Sequence, residues 1–264
     1  MEQTLHFEDK TGHKTAGILA KPDGPTDRIA VLCHGFLSQK NSSTNKALTA
    51  ALVPQGIATF RFDFLGHGES REPFPRITVT MSVAQTLAAL ETVAQRGYRR
   101  IGLVGSSFGG LIAILAAAKW MEEGRTGLTC LALKCPVADF SEMLREEFGE
   151  AGMAEWSATG TIPNVVGGVG RIRLPYSFYD DCLEHKGFDH AKAVTIPTLI
   201  VHGDADEVVP VEQSRRLAAG LGGPHSLVVI PGADHHFSNP LHFREMSTGI
   251  AEWLTDQLGP HPAI

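Results

Sequence analysis

The most informative segment of this 264-residue chain is Ile101-Gly102-Leu103-Val104-Gly105-Ser106-Ser107-Phe108-Gly109-Gly110. Its first four residues form an apolar, strand-like run, and an apolar, helix-like run begins at Gly110. A strand that turns at once into a helix holds the residue at the turn in a strained conformation and exposes its side chain above the sheet. Gly105 and Gly109 lie two residues on either side of Ser107, and without Cβ atoms they let strand and helix approach closely. The segment therefore predicts a nucleophile at Ser107.

Strand-like and helix-like segments alternate on both sides of this turn. Apolar runs predict strands at residues 29–33, 57–62, 101–104, 128–134, 198–201 and 226–230. Helix-like segments separate most of these runs, which is typical of a mostly parallel sheet with helices on both faces. Two further strands, at residues 3–8 and 14–21, flank a turn that contains Gly12, and they predict an antiparallel hairpin at one sheet edge.

The interval between the strands at 128–134 and 198–201 is too long for an ordinary crossover. Loops in α/β units have about 2–6 residues, and a crossover helix adds roughly a dozen more. We therefore expect an insertion at residues 137–190, between core segments 1–136 and 191–264. Its apolar residues favour a lid over the carboxyl ends of the strands, and a crossover with its own small core is the alternative. Within it, Gly167-Gly168 between two β-rich runs predicts a tight hairpin.

Composition limits the classes of partner and cofactor that we expect. The chain has 43% hydrophobic residues, and a chain of this length buries roughly 70–75% of its unfolded surface. A net charge of −6 and the lack of a basic stripe argue against a nucleic-acid partner. No G-x-G-x-x-G follows a strand and no P-loop motif occurs, so we expect no nucleotide cofactor. We expect no metal either, because the adjacent pair His235-His236 lacks the His-x-x-x-His spacing of metal ligands.

The cysteines and the first residues favour a cytoplasmic protein. None of the four cysteines belongs to a C-x-x-C pair, and Cys33, Cys130 and Cys135 lie in or beside apolar runs, which predicts buried, reduced thiols. The chain starts with neither the basic nor the apolar segment of a signal peptide. Its longest uncharged apolar stretch, residues 108–118, is too short to span a bilayer. These features leave the oligomeric state open.

A serine hydroxyl needs a base within hydrogen-bond reach and an acid that orients that base. In this type of turn the acid and the base follow the serine in that order along the chain. The loop after the strand at 198–201 carries the acid candidate, Asp206, with Asp204 as the close alternative. We expect Asp204 instead to cap the following helix. Asp139, at the end of an earlier strand, is a weaker third candidate.

The base candidate lies in the loop after the strand at 226–230. Two adjacent histidines occur there, and we choose His235 as the base and His236 as a neighbour that lines the entrance. Acyl transfer also needs donors aimed at the developing oxyanion. One donor is expected to be the backbone N–H of Phe108, directly after the nucleophile. The second is expected to be the N–H of Phe36, in the loop after the strand at 29–33.

Five motifs of the chain resemble those of the α/β-hydrolase superfamily. They are V-L-C-H-G-F (31–36), F-D-F-L-G-H-G-E-S (62–70), V-G-S-S-F-G-G (104–110), H-G-D-A-D-E-V-V-P (202–210) and G-A-D-H-H-F (232–237). The resemblance covers about residues 15–258 and is strongest to small bacterial carboxylesterases of the feruloyl/cinnamoyl-esterase and acylglycerol-lipase type. It implies an eight-stranded, mostly parallel sheet with helices on both faces and a lid inserted after the sixth strand.

The resemblance also implies roles for individual residues. The implied nucleophile, acid and base are Ser107, Asp206 and His235. The implied oxyanion-hole residues are Phe36 and Phe108. His67, in the F-D-F-L-G-H-G-E-S motif, is implied to be structural. The chain departs from its relatives around the nucleophile, where they commonly have His before it and Gln or Met after it. Here these positions are Ser106 and Phe108, a change that affects the floor of the pocket.

The expected function is the cofactor-independent hydrolysis of carboxylic esters, with apolar or aryl acyl groups favoured by the aromatic content of the lid. A thioesterase, an amidase or peptidase, or an acyltransferase would use the same three side chains, and sequence alone does not separate them. A binding protein on a hydrolase scaffold is a remote alternative, because such proteins usually lack one of the three residues.

Overall fold

The computed structural model describes residues 1–70, 72–162 and 171–259 of the chain. The predicted hairpin around Gly167-Gly168 lies outside these residues. The strands of the described part are β1 (Glu2–Glu8), β2 (Lys14–Ala20), β3 (Arg28–Cys33), β4 (Ala58–Phe62), β5 (Arg100–Ser106), β6 (Leu128–Lys134), β7 (Thr161–Ile162), β8 (Ile172–Arg173), β9 (Thr198–Gly203) and β10 (His225–Ile230). Its α-helices are α1 (Ser43–Leu52), α2 (Val79–Gln95), α3 (Phe108–Glu122), α4 (Phe140–Thr159), α5 (Ser177–Leu183), α6 (Gly187–His190), α7 (Val211–Gly220) and α8 (Pro240–Leu258).

Eight of the strands form one sheet in the order β1-β2-β4-β3-β5-β6-β9-β10. Strand β2 pairs antiparallel with both β1 and β4. All other neighbours in this sheet pair in parallel. The prediction of an eight-stranded, mostly parallel sheet with an antiparallel hairpin at one edge is therefore confirmed. Because parallel strands run in the same direction, their carboxyl ends lie at the same end of the sheet. The loops after β3, β5, β6, β9 and β10 therefore meet there.

Helices cover both faces of this sheet, as predicted. On one face α2 and α3 pack against the strands through fully or largely buried side chains, among them Leu87, Leu90, Leu111, Ile112 and Ile114. On the other face α1 and α8 do the same through Leu48, Leu52, Met246, Ile250 and Leu254. The central strands are buried on both faces, which explains their uninterrupted apolar runs. The four cysteines are free and buried.

The segment between β6 and β9 contains α4, the two-stranded sheet β7–β8, α5 and α6. Helix α4 is kinked at Gly149, whose positive φ of 59° breaks the helical geometry. The indole of Trp156 is fully buried, donates a hydrogen bond to the carbonyl of Leu174 at 2.7 Å, and packs on Tyr176 and Tyr179. The aromatic residues of the insertion are thus continuous with the hydrophobic core on this face of the sheet, and its action as a lid stays a prediction. No helix of the described residues is long and apolar enough to cross a membrane.

A buried ion pair ties the loop before α1 to the loop after β4. The ammonium of Lys40, whose side chain is 3% exposed, lies 2.5 Å from Asp63 Oδ2 and 2.5 Å from Glu69 Oε2. The carboxylate of Asp63 also accepts the backbone N–H groups of Lys40 at 2.7 Å and Glu69 at 3.0 Å. Burial opposes the ionisation of Asp63, but the hydrogen bonds from Lys40 outweigh it and lower the pKa of that carboxyl. Both loops flank the carboxyl end of the sheet.

Replacing Lys40 by Met should destabilise the fold by about 3–5 kcal/mol, because it leaves the Asp63 carboxylate buried without its cation. Equilibrium unfolding in urea measures this change in the free energy of unfolding. Arg76→Ala is the control, since it removes an exposed pair with Glu72 and should cost no more than about 1 kcal/mol. A Lys40→Met loss no larger than that of the control would show that the pair contributes little.

Candidate active site

The backbone turn between β5 and α3 presents Ser107. Strand β5 ends at Ser106 and α3 begins at Phe108, so that Ser107 alone makes the turn, with φ 53° and ψ −118°. Such a conformation is strained for a residue with a side chain. A Cβ atom on Gly105 would overlap the carbonyl of Gly109, and a Cβ on Gly109 would overlap the carbonyls at the end of β3. Glycine is therefore required at both positions for strand and helix to meet here.

Three side chains that are distant in sequence meet at this turn. His235, in the loop between β10 and α8, has its Nε2 3.0 Å from Ser107 Oγ. Its Nδ1 lies 2.7 Å from Oδ2 of Asp206, in the loop between β9 and α7. The bond to the carboxylate places the ring proton on Nδ1, which leaves Nε2 to accept the serine hydroxyl. The structure thus brings together the three residues that were predicted from the sequence to be the nucleophile, the base and the acid.

The carboxylate of Asp206 is held by four donors. Oδ1 accepts the backbone N–H groups of Val208 at 2.9 Å and Val209 at 2.8 Å. Oδ2 accepts His235 Nδ1 and lies 3.1 Å from Nε2 of the fully buried His202. Burial opposes ionisation of Asp206, but the hydrogen bonds from His202 and His235 outweigh it and hold its pKa well below the usual range. The acid is therefore an anion at neutral pH.

His235 is buried, and this burial lowers its pKa although the carboxylate of Asp206 acts in the opposite direction. The imidazole is therefore neutral near pH 7, which is the form that can take a proton from Ser107. Its neighbour His236 is exposed at the rim of the adjacent cavity, as expected. The ring of His236 packs edge-on against that of His235, with centroids 5.4 Å apart.

The two rival acids have other partners. Asp204 Oδ1 accepts the backbone N–H of Gly232 at 2.6 Å and so fastens the loop that carries His235. The expectation that Asp204 caps the following helix is wrong, because α7 begins after Pro210 without a side-chain cap. The loop turns back toward β10 before α7 starts, which takes Asp204 away from that helix. Asp139 caps α4, accepting the N–H of Glu142 at 2.9 Å.

The backbone N–H groups of Phe36 and Phe108 lie on the two segments that meet at Ser107. Phe108 is the first residue of α3, so its N–H has no carbonyl partner within the helix. The loop after β3 passes directly against the turn, because a Cβ on Gly35 would lie 3.5 Å from Ser107 Cβ. Neither the N–H of Phe36 nor that of Phe108 donates a hydrogen bond to another of the described residues. Both donors are thus available to a ligand oxygen.

Two buried histidines hold this loop in place. His67 Nε2 accepts the backbone N–H of Leu37 at 3.1 Å, next to Phe36. His34 Nε2 accepts the N–H of Phe64 at 3.0 Å, which links the loop after β3 to the loop after β4. Burial lowers the pKa of His34 to about 3 and that of His67 to about 4, so both rings are neutral acceptors. The expected structural role of His67 thus has a physical basis, because its bond to Leu37 fixes the backbone next to the N–H of Phe36.

A cavity of about 310 Å³ opens beside Ser107 and His235. Its apolar lining residues are Phe36, Leu37, Phe140, Met143 and Val208. Its polar ones, besides Ser107 and the two histidines, are Ser38, Ser42, Ser43, Thr44, Ser106 and Lys134. The ring of Phe36 packs on Phe108, Phe140 and Phe178 at centroid distances of 5.7, 5.4 and 5.6 Å. The insertion therefore contacts the loop after β3 through aromatic side chains.

One group of metal-type ligands occurs among the described residues, formed by Cys135, His202 and Asp206 with ligand atoms within 4.8 Å of one another. Hydrogen bonds already engage the histidine, since His202 Nδ1 lies 2.6 Å from Ser214 Oγ and Nε2 lies 2.9 Å from the carbonyl oxygen of Val209 and 3.1 Å from Asp206. Burial raises the pKa of the Cys135 thiol to about 12, so it is protonated. A protonated thiol and a histidine that is already hydrogen-bonded are better suited to supporting Asp206 than to binding a cation.

Two residues of this site, His202 and Lys134, are not among those predicted from the sequence. Each lies at the end of an otherwise apolar strand, β9 or β6, and each is buried. A charged or polar residue that ends a buried strand was the available signal. The residues that contact His202 and Lys134 come from other strands and loops, so a local sequence pattern does not identify these contacts.

Lowering the pH should destabilise the fold through His34 and His67. In the unfolded chain both titrate near pH 6.5, whereas their folded pKa values are about 3 and about 4. Below about pH 6.5 the unfolded chain therefore binds more protons, and the free energy of unfolding decreases. We expect urea unfolding to show a loss of about 2–3 kcal/mol between about pH 7.5 and about pH 5.5.

His67→Gln, which keeps a neutral acceptor for Leu37, should remove roughly half of this loss. The control His225→Gln changes an exposed histidine and should retain all of it. An unfolding free energy of the unaltered protein that is equal at both pH values would contradict neutral, buried rings.

The sequence matches the model of the alpha/beta hydrolase family over residues 30–252. It is 29% identical over 215 residues to mouse palmitoyl-protein thioesterase ABHD10, mitochondrial, an alignment that covers 78% of this chain and 68% of that protein. It is also 25% identical over 252 residues to a longer protein of Mycobacterium tuberculosis strain H37Rv, of which it spans 45%.

Solved structures show the same fold. The chain superposes on Est1E from Butyrivibrio proteoclasticus with ferulic acid bound, with a TM-score of 0.82, 25% identity, and coverage of 97% of this chain and 100% of that one. On alpha/beta hydrolase domain-containing protein 10 from mouse the TM-score is 0.81 with 22% identity, covering 96% and 99% of the two chains. With a family match across most of its length and this fold, the chain belongs to the α/β hydrolase family.

Proposed function

We propose that this chain is a serine hydrolase that cleaves carboxylic esters through an acyl-enzyme on Ser107. One observation carries the proposal: His235 lies within hydrogen-bond distance of both the Ser107 hydroxyl and the Asp206 carboxylate. This is the arrangement that converts a weak nucleophile into a reactive one. The two backbone donors at Phe36 and Phe108 and the adjacent cavity are the other parts that acyl transfer needs.

The reaction follows from these positions. Ser107 Oγ attacks the acyl carbon while His235 Nε2 takes its proton, and the Asp206 carboxylate stabilises the imidazolium that forms. The N–H groups of Phe36 and Phe108 stabilise the negative charge on the carbonyl oxygen. The carbon–oxygen bond to the leaving alcohol breaks as His235 returns the proton to it. A water molecule, deprotonated by His235, then releases the acid and restores the serine.

We further propose that the acyl group is apolar or aromatic and that residues 137–190 act as a lid. Phe140 and Met143, at the start of α4, line the cavity together with Phe36 from the core. An aromatic wall of this kind favours a flat or aliphatic acyl group. The similar structure of Est1E contains ferulic acid, an aryl acid, which supports the same choice for this chain.

Thioesters are a second candidate class of substrate. The mouse relative is named a palmitoyl-protein thioesterase, and its similarity covers 78% of this chain. The proposed steps are unchanged when a thiol replaces the alcohol as the leaving group. A comparison of kcat/KM for matched oxygen esters and thioesters with the same acyl group decides between the two classes.

Ser107→Ala should lower kcat for a p-nitrophenyl ester by at least about 10⁴-fold, because it removes the atom that forms the acyl-enzyme. Ser106→Ala should lower it by less than about tenfold on this neutral substrate, since the nucleophile remains. The release of p-nitrophenolate is followed by absorbance. Ser247→Ala, at a half-buried position on α8 outside the cavity lining, is a control that retains full activity. Turnover by Ser107→Ala equal to that of the unaltered protein would exclude Ser107 as nucleophile.

Asp206→Asn should lower kcat by roughly 10³–10⁴-fold, because an amide can donate to His235 Nδ1 and favour the wrong tautomer. Asp204→Asn is a matched control two residues away. Its amide oxygen can still accept the N–H of Gly232, so kcat should change by less than about tenfold. The reverse ranking of the two variants would identify Asp204 as the acid.

A further inference from the structure

The cavity beside Ser107 contains a buried lysine that the proposed reaction does not use. Lys134 is the last residue of β6, its side chain lies in the interior with 6% of the residue exposed, and it lines the cavity. Its Nζ donates a hydrogen bond to the backbone carbonyl of His235 and lies 5.1 Å from the centroid of the Phe237 ring. An ammonium has three donors, and this carbonyl satisfies one of them.

Lys134 makes no ion pair with any of the described residues. The carboxylates of Asp206 and Asp234 act on it only from longer range. Burial lowers the pKa of Lys134, because removing an ammonium from water disfavours its charged form. Because burial disfavours the charged form and no carboxylate pairs with it, an anion that enters the cavity would stabilise the ammonium of Lys134.

A second polar group beside Lys134 has no partner. Ser106 is paired in register with Lys134 across β5 and β6, so the two side chains lie on the same face of the sheet. Ser106 is 9% exposed, lines the cavity, and its Oγ is buried without a hydrogen-bond partner among the described residues.

The N-terminus of α1 adds to the positive potential of the same cavity. Ser42, Ser43 and Thr44 line the cavity at the start of this ten-residue helix. The first N–H groups of a helix carry partial positive charge, and α1 has no acidic residue in its first turn to balance it. Of the described residues that line the cavity, none is an aspartate or a glutamate, although the whole chain has a net charge of −6.

We propose that Lys134, Ser106 and the N-terminus of α1 form a subsite for an anionic group, a carboxylate or a phosphate, carried by the substrate. The inference rests on the proposed ester hydrolysis and deepens it by naming a charged feature of the substrate. The apolar residues of the cavity contact the body of the substrate, and the subsite receives its anion. The anion would satisfy the ammonium donors and the serine hydroxyl with charge-assisted hydrogen bonds.

The test compares pairs of esters that differ in one negative charge. In the acyl arm, the p-nitrophenyl monoester of glutaric acid is compared with p-nitrophenyl pentanoate. In the leaving-group arm, meta-acetoxybenzoate is compared with its methyl ester. The quantity measured is kcat/KM of the anionic ester divided by that of its neutral partner. Comparing this ratio between variants cancels the intrinsic reactivity of each ester, and the arm that responds shows which part of the substrate carries the anion.

Lys134→Met should lower this ratio by about tenfold or more in at least one arm, because the bond to the anion is lost while the neutral ester keeps its contacts. Ser106→Ala should lower the ratio in the same arm by a smaller factor, about two- to fivefold. Lys119→Met, which removes an equal charge from an exposed position on α3, should leave the ratio unchanged. A Lys134→Met variant that loses activity equally on both members of each pair would overturn the inference, since it would show only a clamp on the His235 loop.

Binding without turnover separates this inference from the proposed function. In the Ser107→Ala background, monomethyl glutarate should raise Tm and neutral dimethyl glutarate should raise it less, a difference that Ser106→Ala reduces. This measurement also decides the question if Lys134→Met does not fold. Equal shifts with the two ligands would overturn the inference even if ester hydrolysis is found. A failure of the unaltered protein to cleave the neutral esters would refute the proposed function and leave the binding result to stand by itself.

Discussion

The site depends on one steric constraint, the close contact of β5, α3 and the loop after β3 around Ser107. Glycines at 105 and 109 allow this contact, because a Cβ on either would overlap a backbone carbonyl. The strained φ of Ser107 follows from the turn that the contact imposes. The same contact places the N–H of Phe108 at the free start of α3 and brings the N–H of Phe36 alongside. The positions of the proposed nucleophile and of the proposed oxyanion donors thus follow from one packing arrangement.

Buried charges then hold the surrounding loops to the sheet. Asp206 is surrounded by donors from its own loop, from His202 and from His235, and it therefore keeps its charge in spite of burial. Asp63 is held in a comparable way by Lys40 and by backbone donors on the loop after β4. In both cases a carboxylate in the interior is paired on several sides, which is the condition under which such burial is tolerated. Lys134 differs, since its ammonium has one carbonyl partner and faces a cavity.

The buried groups of the site are of two kinds, according to whether the protein supplies all of their hydrogen-bond partners. A group whose partners are all supplied by the protein, such as Asp206 or Asp63, fixes geometry. A group with donors left over at a cavity wall, such as Lys134 beside Ser106, is arranged for something that enters the cavity. The cavity therefore combines an aromatic region, suited to an apolar body, with a positively charged region that has no acidic residue among its described lining residues.

The order of elements and the turn at Ser107 could be predicted from the chain alone, because local periodicity and glycine spacing encode strands, helices and a tight strand–helix junction. The eight-stranded sheet was implied by the resemblance to α/β hydrolases. The candidates for the acid and the base could also be limited to the loops after two strands, because the loops that follow parallel strands lie at the same end of the sheet. Only the tertiary structure could distinguish Asp206 from Asp204, because both follow β9 and only their partners, His235 and Gly232, differ. The same holds for His202 and Lys134, whose contacts lie on neighbouring strands and loops. Distances between residues far apart in the chain are set by packing, and no local pattern carries that information.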